Sequence, residues 1–126
     1  MRILGIDYGE RRIGLAVSDE TKTLAREVDI LHPKQFWEKL PELISSLEVE
    51  GVVVGLPLGV QGNDTEKTKE VREFAQRLSK STGLPVELFD ERFSSAMAQQ
   101  MPGGNKKIDS LAAQIILQNY LDSRKH

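Results

Sequence analysis

The 126-residue chain has no cysteine and only two histidines, His32 and His126. The first absence excludes disulfides, zinc fingers, iron–sulfur centres and thiol nucleophiles. The second leaves a histidine-rich metal site or a histidine general base without support, since His126 sits at a terminus prone to fraying. Any metal must be held by oxygen. No apolar run approaches the roughly 20 residues that span a bilayer. The stretch from Met1 to Ile6 reaches Asp7 too early to be the core of a signal peptide. No membrane association and a cytoplasmic location are therefore expected. Neither sign of charge dominates: 17 Lys and Arg face 19 Asp and Glu, a net charge of −2. That balance lacks the basic footprint usual among nucleic-acid binders. Internal repeats and low-complexity tracts are absent too. What is present, 39% apolar residues and ten glycines, is ordinary for a globular protein. The length fits one domain, 1–126, able to bury roughly two-thirds of its unfolded surface.

The chain opens with strand signals. Arg2 to Tyr8 is short and almost wholly apolar, Gly9-Glu10-Arg11 is a turn, and Arg12 to Ser18 is a second strand. Thr23 to Ile30 is a weaker third strand, and short links make the three an antiparallel meander. The period then changes. Phe36, Leu40, Leu43, Ile44 and Leu47 fall at helical spacing, with Pro41 inside the pattern, which predicts a late start or a kink there. Gly51 to Leu56 is a buried strand ended by Pro57, and a glycine-rich loop runs from Leu58 to Gly62. Asn63, with Glu66 three residues on, predicts the cap of a second helix carrying Val71, Phe74, Ala75 and Leu78, with Gly83 as its stop. Pro85 to Phe89 is a last strand, Ser94 caps a short helix to Met101, Pro102 to Asn105 is a loop, and Ile108 to Leu121 is a final apolar helix. The order βββαβαβα folds into an α/β protein: a mixed five-stranded sheet, three antiparallel strands then two parallel additions, with helices on both faces. This is the ribonuclease H-like arrangement.

Three acids interrupt this apolar pattern. Asp7 ends the first strand, where a buried carboxylate is costly unless paired or bound to a cation; a plain turn aspartate before Gly9 fits equally. Glu91, in Asp90-Glu91-Arg92, reads either as a ligand or as a strand-end ion pair with Arg92. Asp90 and Glu91 face opposite sides if the strand persists, so only one of them faces Asp7. Asp109 opens the last helix, where a first-turn acid complements the helix dipole in many proteins. Two strand ends and a helix start can converge at one edge of the sheet. Three carboxylates meeting there need cations between them, and Mg²⁺ or Mn²⁺ is the metal chemistry that oxygen ligands favour. Two such ions about 3.5–4 Å apart clamp a phosphodiester and activate water.

Other features fit a phosphate substrate. The loop from Gly55 to Gly62 leads into a helix, where free backbone N–H groups bind anions, although it equally reads as a plain connection and lacks the Gly-Lys-Ser/Thr of a P-loop. Basic residues stand beside each acid: Arg11 and Arg12 near Asp7, Arg92 beside Glu91, and Lys106 and Lys107 before Asp109. Trp37 reads as partly buried core in preference to an interface marker.

The run Asp7-Tyr8-Gly9-Glu10-Arg11-Arg12-Ile13-Gly14-Leu15-Ala16-Val17-Ser18-Asp19 resembles the opening motif of the YqgF (RuvX) family. So do Val53-Val54-Gly55-Leu56-Pro57 with Gly62 following, Asp90-Glu91-Arg92 with Ser94-Ser95, and Ile108-Asp109-Ser110-Leu111-Ala112-Ala113 running on to Ile116-Leu117. The four motifs cover essentially the whole chain in order. The resemblance implies a ribonuclease H-like fold related to the RuvC resolvases, and a bacterial nuclease that matures the 5′ end of the small-subunit (16S) ribosomal RNA precursor. It also implies Asp7, Glu91 and Asp109 as metal-binding acids. In the related resolvases an acid ends the fourth strand; here Gly55-Leu56-Pro57 has none, so the middle ligand moves to Glu91, with Asp90 as its rival. The family loop usually carries Asn where this chain has Gly59, and the segment from Pro102 to Asn105 is short; both departures touch substrate contacts. A Mg²⁺- or Mn²⁺-dependent phosphodiesterase on precursor rRNA is the leading expectation, with pre-ribosomal particles as partners. Arg12, Arg92, Lys106 and Lys107 would hold flanking phosphates, with backbone contacts from Gly55 to Gly62. The alternatives are a resolvase of branched DNA, which calls for a homodimer where the RNA reading needs only a monomer, and a non-catalytic nucleic-acid-binding module on the same fold.

Overall fold

A strand apolar on both faces belongs inside a sheet, and β1 (Arg2–Asp7) is the middle strand of five. The computed structural model describes residues 1–90 and 108–124, with the backbone alone for residues 108–110. β2 (Ile13–Ser18) and β3 (Ala25–Leu31) follow β1 as an antiparallel meander. β4 (Val49–Leu56) and β5 (Val86–Asp90) add in parallel on the other side, giving the order β3-β2-β1-β4-β5. The sheet is the mixed one the element order predicts. The segment expected as a short helix, Ser94 to Met101, and the loop Pro102 to Asn105 lie outside the described residues.

The pleat separates two cores. Leu4 and Ile6 of β1, with Val52, Val54 and Leu56 of β4, face α1 (Pro33–Ser46) and α2 (Glu66–Thr82), burying Phe36, Leu40, Val71, Phe74 and Leu78. The opposite face of the sheet, through Ala16 and Val53, packs on α3 (Ile108–Ser123) through Ala113, Ile116, Leu117, Tyr120 and Leu121. α3 is also tied to the start of β3: Gln118 Oε1 accepts from the Ala25 N–H at 2.9 Å, and Gln118 Nε2 donates to the Thr23 carbonyl at 2.9 Å.

Two helix starts differ from expectation. α1 begins at Pro33, where a proline is tolerated because that N–H has no helical partner. Pro41 lies inside the helix, which continues to Ser46. Burial of Phe36 and Leu40 outweighs the one backbone bond Pro41 cannot make. The cap of α2 is Thr65, not Asn63. Thr65 Oγ1 accepts from the Thr68 N–H at 3.2 Å and Thr68 Oγ1 accepts from the Thr65 N–H at 2.9 Å. Thr68 is wholly buried and its hydroxyl donates to the Pro57 carbonyl, so the cap also fixes the loop below. The helix stops at Gly83, whose positive φ of 70° serves a left-handed cap.

Candidate functional site

Asp7 is the last residue of β1 and is half-buried. By the alternation of the pleat it shares the α3 face with Ile3 and Gly5. Its antiparallel partner on β2 is Gly14. On the other side Ile6 pairs with Val54 and Gly55 with Phe89, so Gly55 is the β4 neighbour of Asp7. Asp7 thus stands in a row of the sheet with a residue lacking a side chain on each flank.

The helix above is brought down at the same place. A Cβ built on Gly5 would lie 2.7 Å from Leu117 Cβ and 3.3 Å from the Ala113 carbonyl oxygen. Ile3, two residues back, lines a cavity with Tyr120 and Leu121. α3 therefore runs antiparallel to β1. Two residues along a strand advance about 6.6 Å and one helical turn about 5.4 Å. Asp7 accordingly lies level with the first turn of α3, at the backbone of Asp109 and Ser110. Sequence distance of about a hundred residues collapses to neighbouring elements at one end of the sheet.

The pleat also fixes the side of the sheet on which Asp90 falls. Phe89 packs in the α3 core, while Val86 and Leu88 pack in the other. Asp90, the next position, falls on the α1/α2 face, away from Asp7. Glu91 and Arg92 lie outside the described residues, as do Lys106 and Lys107. Among the described residues no three His, Cys, Asp or Glu gather as a group able to hold a metal. Of the three proposed acids, Asp7 is the one whose side chain is described.

The turn after Asp7 is tight. A Cβ on Gly9 would meet the Arg12 carbonyl oxygen at 2.5 Å, so a side chain there would force the turn open. Arg11 and Arg12 are exposed on it, and the Arg11 carbonyl lies 3.2 Å from His32 Nδ1 at the start of α1. The glycine loop closes on itself: the Gly59 N–H donates to the Asn63 carbonyl at 2.7 Å and the Gly62 N–H to the Gly59 carbonyl at 2.8 Å. Gly62 is exposed, with φ of 83°, whereas Gly55 is buried within β4. Arg72 grips Asp64 through Nε at 3.0 Å and a terminal nitrogen at 3.1 Å, holding the Asp64 carboxyl below its ordinary range.

One feature escaped the sequence reading. Tyr8 turns to the face opposite Asp7 and meets Phe74 at 4.5 Å between ring centroids. Trp37 packs edge-on to Phe74 at 5.6 Å, and the Arg77 guanidinium lies 3.9 Å over its ring. Trp37 is partly buried, as expected, but belongs to an aromatic and cationic cleft of about 380 Å³. Burial, then the charges of Glu70 and Glu10, push the Tyr8 phenol above its ordinary pKa. Residues 8, 37, 74 and 77 have no shared local pattern, so no spacing rule could have found the cluster. A further cavity of about 470 Å³ opens at the far end of the sheet, beside Lys22, Glu50 and Arg124, away from Asp7.

Known proteins share this sequence and this fold. The family model described as RuvX, Holliday junction resolvase, matches residues 1–123. A protein of Caldanaerobacter subterraneus subsp. tengcongensis, named "Putative pre-16S rRNA nuclease", is 38% identical over 100% of this chain and 99% of its own length. One of the same name from Protochlamydia amoebophila is 41% identical over 98% of this chain and 94% of its own. Among solved structures, Thermus thermophilus RuvC in complex with a Holliday junction substrate matches with a TM-score of 0.65 and 17% identity, over 98% of this chain and 96% of that one. The fowlpox virus resolvase matches at 0.61 and 13% identity over the whole of both chains. These likenesses establish the ribonuclease H-like fold of the RuvC-type resolvases. Motifs, fold and full-length identity together place this chain in the RuvX family.

Proposed function

We propose that this chain is a divalent-metal-dependent nuclease that hydrolyses phosphodiester bonds, with the 5′ end of precursor 16S rRNA as its substrate and the cytoplasm, within pre-ribosomal particles, as its place of work. The observation that carries the reading is Asp7 at the end of the central strand, flanked by Gly14 and Gly55 and level with the first turn of α3. The names of the full-length relatives support the RNA substrate. The whole of 1–126 acts as a single unit.

Oxygen donors and side-chain-free flanks suit a hard cation, so the surroundings of Asp7 fit Mg²⁺ or Mn²⁺. Asp7, Glu91 and Asp109 would hold it. Pleat parity supports Glu91 over Asp90 as the middle acid, because Asp90 falls on the other face. When bound, the metal supplies Lewis acidity and a water of lowered pKa. The remaining work belongs to the chain. Arg12, Arg92, Lys106 and Lys107 hold flanking phosphates by charge-assisted hydrogen bonds and so fix the scissile bond over Asp7. The loop from Gly55 to Gly62 borders the substrate path at the end of β4. The overall charge of −2 is partly the site itself: without the three acids the balance turns positive. Binding should be salt-sensitive and modest without metal.

The family's description as a Holliday junction resolvase favours one second reading, cleavage of branched DNA by a homodimer. A cleavage panel decides between them: structured precursor rRNA, a four-way DNA junction and single-stranded RNA, each with and without Mn²⁺, beside light scattering for the oligomer. Metal-dependent cutting of the precursor by a monomer supports the RNA reading. Paired cuts in the junction by a dimer transfer the assignment to DNA. Binding without cutting any substrate makes the chain a non-catalytic module.

A further inference from the structure

The cleft between α1 and α2 has a chemistry that phosphate binding alone does not call for. Its lining includes Tyr8, Lys34, Trp37, Phe74 and Arg77, with the two acids Glu70 and Glu73. Three of these are aromatic and two are cationic. Lys67 adds a third cation, 5.5 Å from the Tyr8 ring centroid. A plain phosphate track would exclude acids, yet Glu70 and Glu73 line the cleft, and of the two Glu70 has a buried oxygen, Oε2, with no hydrogen-bond partner. A buried acceptor without a partner is destabilising, so the Glu70 carboxylate gains by turning toward a donor in the cleft. Tyr8 directly follows Asp7, so the cleft begins where the candidate site ends and lies around the edge of the same strand tip.

Aromatic faces and guanidinium planes stack unpaired bases, and a carboxylate accepts from base N–H groups. Guanine presents N1–H and N2–H side by side on its Watson–Crick edge, two donors matched to one carboxylate. Uracil offers a single N–H on that edge. Double-stranded nucleic acid has this edge occupied, so the base must be single-stranded. We infer that the cleft binds an unpaired guanine nucleotide of the substrate strand, stacked among Tyr8, Trp37 and Arg77 and read by Glu70. Lys34 and Lys67 take the adjoining phosphates. The Arg77 guanidinium lies over the Trp37 ring and the Lys67 ammonium over the Tyr8 ring. This deepens the nuclease reading and rests on it for the identity of the strand, but its test needs no cleavage.

Trp37 is the chain's one tryptophan, so its fluorescence reports on this cleft directly. The whole protein is titrated in EDTA with single-stranded RNA pentamers that differ only in a central G, A, C or U. Guanine is expected to change the Trp37 emission with an affinity about tenfold above uracil. Glu70→Gln, which exchanges an acceptor for a donor, should abolish that preference while leaving the far-ultraviolet circular dichroism unchanged. Glu70→Asp, which keeps the carboxylate, should retain part of it. Emission unmoved by every pentamer overturns the inference, as does equal affinity for all four bases or a preference that Glu70→Gln leaves intact. Metal-dependent cleavage measured in parallel would still stand in those cases, so failure of the cleft is separable from failure of the nuclease assignment.

Discussion

Gly5 and Leu117 approach so closely that a Cβ on Gly5 would lie 2.7 Å from the Leu117 Cβ. No pair of carbon atoms packs at that distance, so α3 owes its height over the sheet to the missing methyl group. The same contact sets where the first turn of α3 meets Asp7. Gly5→Ala should lift the helix, costing about 1–3 kcal/mol as overpacking. Urea denaturation measures that cost. Cleavage should fall further than the unfolded fraction explains, because Asp7 and the first turn of α3, where two of the proposed metal ligands lie, no longer share one level.

The loop above β4 depends on one buried hydroxyl. Thr68 donates to the Pro57 carbonyl and accepts from the Thr65 N–H. Thr68→Val keeps the shape and deletes both bonds, leaving a carbonyl and an N–H unsatisfied. A loss of about 1–3 kcal/mol is expected. Thr68→Ser, which retains the hydroxyl, should recover much of it. Thermal unfolding of the two variants side by side checks the order.

Asp19 gives the fold a dependence on pH. Its carboxylate accepts from the Thr23 N–H at 2.8 Å, the Thr21 hydroxyl at 2.9 Å and the Leu24 N–H at 3.2 Å. These bonds, the Thr23 N–H foremost, hold its pKa below the ordinary value. A depressed folded pKa means stability that is fully present above the unfolded value of about 4 and is lost as pH falls through the folded one. Asp19→Asn should therefore be less stable than the parent at pH 7, and the gap should close in acid. Denaturation curves taken from pH 7 down to the acid limb test the sign.

Much of the architecture was legible because it rests on local signals. The apolar run of β1, the short links of the meander and the helical stripes of Phe36–Leu40 and Val71–Leu78 give element order, and element order gives the mixed sheet. The cap of α2 was misplaced by two residues, since Asn63 and Glu66 imitate a capping box. The real one needed Thr68 to find a tertiary partner in Pro57. Asp7 was readable from its motif, yet its glycine flanks follow from strand register, which composition does not encode. That Asp90 falls on the face opposite Asp7 follows from pleat parity, and that required knowing that Phe89 packs under α3.

In the proposed mechanism the carboxylate of Asp7 holds the metal on which cleavage depends. Asp7→Asn keeps the volume and removes the charge, so it separates ligation from packing. The decisive measurement is Mn²⁺ titration by calorimetry of parent and variant, paired with cleavage of structured precursor rRNA by each. The parent should bind Mn²⁺ and cut. Asp7→Asn, with unchanged thermal stability or a higher one through relief of carboxylate repulsion, should lose binding and cut at least about a hundredfold more slowly. A variant that binds Mn²⁺ as tightly as the parent and cuts at the parent's rate would rule out Asp7 as the metal ligand.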